Sequence, residues 1–562
     1  AGVDDFGCCD DDYGLSARDQ AVARLIPAEW FLGPKRGLLS ALTVGTVDHL
    51  LYAATRTRHV MLRHAGLAGR VVVLDEVHAY DVYMSQFLFE ALRWLADAGV
   101  PVVLLSATLP PQLRRRLVTA YLQGALARRD LDLSALPAAE GYPNALTVCA
   151  VDGEPRFDTR AAAPWRPSAP VGVHVLPEDP ADGPDAVVAV LREALREGGC
   201  ALVVRNTVRR AQQTYAAVKA VFGVDAVLLH ARMTAGDRAD RTDRVLRLLG
   251  APDREGAPAR PPRLVVVATQ LAEQSFDVDA DLLITDLAPI DLLLQRVGRL
   301  HRHARPDEDR KAPVRTPRVV VAGMAPQTDG PPRFPGGSRA VYGEYLLLRS
   351  AALVIEAAQG SGWNVPADVP ALVAHGYTED VGDLPESWRE PAAAAYAQWA
   401  VEQDERAANA AQYLLSSDGA LGTPTLAGLH DRSVAAAEDD ALEAAVRDGD
   451  ESIEVVLVRR SDRGYATLAG RPLGPDGGVA VSDPEVLDEV ARCSVRLPPY
   501  ATVTAAAQQT LRPLPGWGLD PWLRRARALP LDDDLAADLG GYRFRYSEEL
   551  GLLDERLTGR TG

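Results

Sequence analysis

Two blocks of short aliphatic, β-branched runs constrain this chain more than any other feature. In the first block the runs are 42–47 (LTVGTV), 71–75 (VVVLD) and 102–106 (VVLLS), with a helical pattern at 84–97 (MSQFLFEALRWLAD). In the second they are 201–204 (ALVV), 225–229 (DAVLL), 264–268 (LVVVA), 282–286 (LLITD) and 318–322 (RVVVA). Strands of this kind, alternating with helices, belong in a parallel sheet covered on both faces. We therefore expect an α/β chain with one sheet domain at residues 1–151 and a second at 186–330. The stretch 152–185, rich in Pro, Asp and Gly, reads as the linker between them, and 250–263 as a surface loop within the second. The pattern changes after 330. Residues 331–435 read as a helical linking region with an alanine-rich helix at 390–415. Residues 436–562 read as an accessory domain with a β-hairpin formed by 452–458 and 463–469.

With 562 residues the chain has room for three or four domains. No uncharged apolar stretch is long enough for a membrane helix. The opening AGVDDFGCCDDD is acidic and fits neither a signal nor a transit peptide, and its first residue is not Met, which suggests processing or a fragment. The cysteines (Cys8, Cys9, Cys149, Cys200, Cys493) form no CxxC pair. That argues for a reducing, cytoplasmic setting and against a zinc site. A net charge of −17 argues against an unspecific nucleic-acid coat, though a local basic channel remains compatible with it.

The run 71–81, VVVLDEVHAYD, reads as a buried strand delivering adjacent carboxylates, Asp75 and Glu76, at its tip. One carboxylate there can hold Mg²⁺ through water while the next polarises an attacking water. A helix N-cap with an extra acid is the other reading of the same residues. One strand–helix unit later a second apolar run ends in Ser106-Ala107-Thr108, small groups able to link nucleotide state to movement. Gln295-Arg296-Val297-Gly298-Arg299-Leu300-His301-Arg302-His303 spaces its arginines by three. On a continuing helix Arg296, Arg299 and Arg302 would share one face and offer planar donors to phosphate oxygens. Just upstream, 268–277 (ATQLAEQSFD) follows a buried run and is dense in small polar groups. Thr269, Gln274 and Asp277 are its candidates for contacts to nucleic-acid backbone and ribose.

DEVH, SAT, ATQLAEQSFDVDAD and LLLQRVGRLHRH, in this order, resemble motifs II, III, V and VI of superfamily-2 helicases. LAPIDLLLQRVGRLHRH (287–303), AEWFLGPKRGLLSALTVGTVDHLL (28–51) and SIEVVLVRR (452–460) resemble, more narrowly, the CRISPR-associated helicase–nuclease of type I interference systems, most like its E subtype. The resemblance implies two RecA-like domains of the P-loop-NTPase type, the first truncated, and a C-terminal accessory domain. It implies an ATP- and Mg²⁺-dependent motor moving 3′ to 5′ on the displaced single DNA strand of an R-loop, after recruitment by an RNA-guided surveillance complex. Residue by residue it gives Asp75, Glu76 and His78 to the catalytic acid box, with Mg²⁺ on Asp75 through water. It gives Arg299 and Arg302 to the γ-phosphate, and Ser106, Ala107, Thr108, Asp277, Gln295, Arg296 and Gly298 to ATP binding and coupling. Gly45, Thr46, Arg205, Asn206, Thr207, Thr269 and Gln274 would touch DNA.

Such a motor also needs G-x-x-x-x-G-K-[ST]. Lysine occurs only as Lys35, Lys219 and Lys311, and none stands in that context. In the family this loop and a metal-dependent HD nuclease lie upstream of the matched region, so the chain reads as a fragment of a longer protein, with a naturally split system as the other explanation. The strand ending in SAT would then keep an open edge. His430-Asp431 reads as an ordinary loop pair, and His301 and His303 as part of the arginine motif. A DNA-repair helicase of the same superfamily and a non-catalytic docking fragment are the competing readings.

Overall fold

The computed structural model describes residues 36–55, 60–179, 183–252, 259–273, 276–415, 446, 453–518, 520 and 522–557. The chain divides into two compact units, residues 1–163 with 400–448, and residues 164–399 with 449–562. Lys35, Gln274, His430 and Asp431 lie outside the described residues.

In the first unit, β1 (Val72–Leu74) and β2 (Val102–Leu104) pair in parallel, with Val72 opposite Val102 and Leu74 opposite Leu104. Between them runs the helix Val82–Asp97, capped by Asp81, whose carboxylate accepts from the Met84 amide at 2.8 Å. A second helix, Pro111–Leu126, lies so close to the first that a Cβ at Gly124 would fall 2.0 Å from the Arg93 carbonyl oxygen. Phe87, Leu88, Leu92, Leu95 and Leu117 make the core with Leu74. Truncating a wholly buried leucine such as Leu92 to alanine costs about 2–5 kcal/mol.

Two expectations fail here. The 42–47 run forms no strand, and Leu42 and Val44 are 84% and 93% exposed. The 71–75 run is a strand, but it is not buried on both faces: its period of two puts Leu74 in the core and leaves Val71, Val73 and, on the neighbouring run, Val103 and Leu105 exposed. Among the described residues β2 has β1 as its only strand partner.

The stretch 152–185 is not a plain linker. It holds the turn and second strand of a hairpin, β3 (Asn144–Val151) and β4 (Glu154–Ala161), then β5 (Ala169–Pro177), which enters the main sheet of the second unit. That sheet adds β6 (Gly199–Val204), β7 (Ala226–Leu229), β8 (Arg263–Ala268), β9 (Leu282–Asp286), β10 (Arg318–Met324) and β11 (Trp363–Val365), in the order β11-β5-β10-β9-β6-β8-β7. All neighbours are parallel except β11, which is antiparallel to β5. β6 to β9 are buried along their length or nearly so, which is what their unbroken Val/Leu/Ile composition requires. The helices Asp185–Ala194, Val208–Phe222 and Ala235–Leu249 connect the strands, and Val187, Leu191, Tyr215 and Val218 pack on them.

Residues 453–557 build a second sheet around β12 (Glu454–Ser461). It forms the expected hairpin with β13 (Gly464–Ala466), extended by β14 (Pro472–Gly474); β15 (Ser494–Arg496) pairs with the first residues of β12, and β16 (Arg527–Leu531) runs parallel to it along the opposite edge. A three-stranded meander follows, β17 (Ala536–Leu539), β18 (Tyr542–Ser547) and β19 (Gly551–Arg556). Its β18–β19 turn sits on the sheet domain of the same unit. His230 Nε2 and Gln212 Nε2 reach the Leu550 carbonyl at 2.9 and 2.8 Å, and the Tyr546 hydroxyl lies 3.1 Å from Thr234 Oγ1.

Candidate functional site

At the tip of β1 the acid pair is presented rather than used up. Asp75 is exposed, and among the described residues its carboxylate accepts only the adjacent Glu76 amide, at 2.9 Å. Glu76 is left-handed (φ 53°), which turns its side chain out of line with the strand. The nearby helix takes its cap from Asp81 instead, so the capping reading of Asp75 and Glu76 does not hold. His78 is 2% exposed and joins two motifs: Nε2 is 3.2 Å from a Glu76 oxygen and Nδ1 is 2.9 Å from Ser106 Oγ. Ser106 donates its own proton to the Thr108 carbonyl at 2.6 Å, so it offers His78 a lone pair. The backbone backs this up, with the Val77 amide donating to the Leu105 carbonyl at 3.1 Å. Tyr142 OH donates to the Ala107 carbonyl at 3.0 Å, and Thr108 is 5% exposed with no partner for Oγ1 among the described residues. Tyr80 OH donates to the Asp75 carbonyl; burial, then the carboxylates of Asp75, Asp48 and Glu76, push its phenol up to about 12. Gly45 and Thr46 are exposed, in the turn that leads into the helix Asp48–Leu51.

The arginine motif departs from its expected form. The helix Ile290–Val297 stops before Arg299, because the chain turns back to bridge Leu300 to Ala280 and His301 takes a left-handed φ of 47°. The three arginines therefore do not share a helical face. Arg296 points inward and is fully buried. Its Nε donates to Glu273 Oε1 at 2.8 Å, Nη1 to Thr285 Oγ1 and the Asp286 carbonyl, and Nη2 to Asn206 Oδ1, Tyr342 OH and Glu273. A guanidinium has five N–H donors, and these bonds occupy them all, so none is left for a phosphate. Arg299 donates to the backbone carbonyls of Ala272 and Glu273. Arg302 is 39% exposed and pairs with Asp277 at 2.6 Å. Burial alone would raise the Asp277 carboxyl, but Arg302, His303 and Arg299 hold it below the usual range. Gly298 follows the last helical residue, and Gln295 is half-buried with Nε2 unpartnered among the described residues.

Three expected DNA contacts are also interior. Arg205 is 2% exposed and forms ion pairs with Glu178 and Asp286, each at 2.7 Å, with Arg210 on the same two carboxylates. Asn206 is 2% exposed; its amide donates to Asp286 and its Nδ2 to the Leu287 carbonyl and Ser338 Oγ. Thr269 is 3% exposed. Thr207 caps the helix Val208–Phe222 by accepting from the Arg210 amide. The physical reason is shared: each follows directly on a central strand, where the sheet's own polar groups must be paired before anything reaches solvent.

A second buried network is not legible from the sequence pattern alone. Asp279 and Asp281, both wholly buried, are held by Arg260, Arg305 and Arg310, and Asp281 also accepts the Cys200 amide at 2.7 Å. The clue was present as alternate acids in DVDAD facing three later or earlier arginines, but only topology pairs them. Among the described residues no cluster of three or more acid, His or Cys groups could hold a metal. A cation on Asp75 would complete its shell with water and phosphate, as the exposed carboxylate allows.

Residues 197–305 match the family model for CRISPR-associated nuclease/helicase Cas3, C-terminal, and residues 447–552 match that for the Cas3 C-terminal domain. The chain belongs to the Cas3 family. It is 32% identical to the CRISPR-associated nuclease/helicase Cas3 of Streptococcus thermophilus, over 97% of this chain and 57% of that protein. The crystal structure of T. fusca Cas3 with AMPPNP superposes with a TM-score of 0.77 at 30% identity, covering 93% of this chain and 58% of that one. A chain of a CRISPR RNA-guided surveillance complex in a pre-nicking state superposes at 0.69 and 29% identity, covering 95% of this chain and 63% of that one. This chain thus spans less than two thirds of each of these Cas3-like proteins. Among the described residues no helix is long and apolar enough to cross a membrane.

Proposed function

We propose that this chain is the helicase part of a Cas3-type CRISPR interference effector, an ATP-driven translocase on single-stranded DNA acting in the cytoplasm. The observation that carries this reading is the bridge from Glu76 through His78 to Ser106, which ties an exposed acid pair to the next strand tip. An acid box linked in this way can pass a change at a phosphate to the neighbouring strand. Asp75 would hold Mg²⁺ through water, and Glu76 would orient and deprotonate the attacking water. The cation supplies charge neutralisation on the phosphates. Arg302, whose side chain is 39% exposed, and Arg299 would meet the γ-phosphate, each first leaving its present partners. Gly45 and Thr46 offer exposed backbone to a DNA strand, and Gln274 is a further candidate.

The sequence carries no G-x-x-x-x-G-K-[ST]. ATP turnover therefore belongs to a protein that also supplies that loop. The displaced strand of an R-loop is the proposed track and an RNA-guided surveillance complex the proposed partner. The E subtype is proposed on the wording of 287–303.

The test is ATP hydrolysis by the full-length protein carrying these residues, with and without single-stranded DNA. Stimulation by DNA that Glu76→Gln removes, by about a hundredfold or more in line with loss of a general base, supports the motor. DNA binding without hydrolysis in the unaltered protein would replace it with the docking reading.

A further inference from the structure

The short helix Gly336–Tyr342 lies outside every motif, yet it is bonded to three of the strand ends from which the motif loops spring. Ser338, 2% exposed, accepts from Asn206 Nδ2 at 2.9 Å, just past the end of β6. Tyr342, four residues on and so on the same helical face, places its hydroxyl where two donors meet. Gln270 Nε2, just past β8, reaches it at 3.2 Å, and Arg296 Nη2, from the helix that follows β9, reaches it at 3.1 Å. Gln270 also donates to the Asn206 carbonyl at 2.9 Å, which closes the circuit. Gly337 permits the approach: a Cβ there would lie 2.7 Å from Thr207 Cγ2.

We propose that Ser338 and Tyr342 are positioning residues, and that the helix Gly336–Tyr342 is a clasp that makes the Thr269–Glu273 loop and the Arg296–Arg302 turn move as one body. Arg296 and Glu273 already join loop to turn directly. The clasp adds a third, independent element to that joint, so that tilting of the loop cannot be absorbed by a local slide of either partner. In the motor proposed above, on which this inference rests, the loop leads directly into Gln274, a proposed DNA contact, and the turn carries Arg299 and Arg302. The clasp then governs how fully strand binding is converted into placement of those arginines. It touches neither ligand.

The measurement is the factor by which single-stranded DNA raises ATP turnover in the full-length protein, compared between wild type, Tyr342→Phe and Ser338→Ala. Tyr342→Phe keeps the ring and loses only the hydroxyl. The hydroxyl accepts from both Gln270 and the Arg296 guanidinium, and we expect the stimulation factor to fall about fivefold or more with their loss, with KM for ATP within twofold of wild type. Combining Tyr342→Phe with Gln270→Leu should lower it by less than the product of the two single effects, since the Gln270–Tyr342 bond is lost in both. A variant stimulated as strongly as wild type overturns the clasp. So does an equal fall in the stimulated and unstimulated rates, which marks a purely structural role. Absence of DNA stimulation in the wild type removes the proposed motor itself and is seen before any variant is made. If Ser338→Ala fails to fold, Tyr342→Phe carries the decision alone.

Discussion

Arginine is the residue through which this chain separates structure from chemistry. Arg205 and Arg296 are buried with their carboxylate partners, whereas Arg302 is 39% exposed and its partner Asp277 more so. Removing one member of a buried ion pair strands the other in low dielectric and costs about 3–5 kcal/mol. Arg205→Ala should therefore lower the stability of the chain by about that amount, read from denaturant midpoints. A direct DNA contact would instead lose affinity with stability intact. Arg302→Ala should do the reverse of Arg205→Ala: unfolding within about 1 kcal/mol of wild type, as for most exposed ion pairs, with ATP turnover of the full-length protein severely reduced. The sequence puts Arg296 and Arg302 in one basic motif and Arg205 among the candidate DNA contacts. It cannot tell inward from outward, because the partners that decide the matter are remote: Glu178 for Arg205, Glu273 for Arg296. The same applies to Thr269, whose burial depends on the neighbouring strands.

Elements were more readable than residues where a strand is central. β6 through β10 fall on the expected runs because a strand enclosed on both faces must be apolar throughout. The run LTVGTV has the same composition without a sheet to join, and it stays exposed. The β18–β19 turn could not be foreseen, since its grip on the sheet domain runs through backbone carbonyls. That grip is pH-sensitive. His230 is wholly buried against the Leu550 carbonyl, and burial, with Arg232 and Arg241 also opposing a charge, brings its imidazole down to about 4. In the unfolded chain it titrates near 6.5. As pH falls from about 6.5 to about 4 the unfolded state takes up a proton the folded state refuses, so stability drops across that window and is fully present above it. At 1.36 kcal/mol per unit the loss is about 3 kcal/mol. Thermal midpoints of the chain between pH 7.5 and 4.5 should show the fall, and His230→Gln, which can still donate to Leu550, should make it shallower. An unchanged slope in the variant would assign the effect elsewhere.

For the molecule as a whole, two sheet domains and an accessory domain were legible, and the seams between them were not. Composition places Pro, Asp and Gly at 152–185, but strands tolerate such residues at their ends, and β4 and β5 occupy half of that stretch. The overall charge of −17 leaves any DNA track to local arginines. Binding of single-stranded DNA by the full-length protein should thus weaken with added salt, the log–log slope changing by about −0.7 for each phosphate contacted. A slope near zero, measured by anisotropy titration, would count against a backbone-tracking motor.

The position of β5 sets an order of events during synthesis. It leaves the ribosome well before the strands it must join, since its neighbours in the sheet are β10 and β11. Until residue 324 has emerged, β5 has no partner, and until residue 365 its other edge is uncovered. At the usual elongation rate of about 5–20 residues per second, that leaves an unpaired apolar strand waiting for several seconds or more. This is a natural point for a chaperone to act, and a fragment beginning at 186 would keep β10 paired with β9 but leave its other edge permanently uncovered.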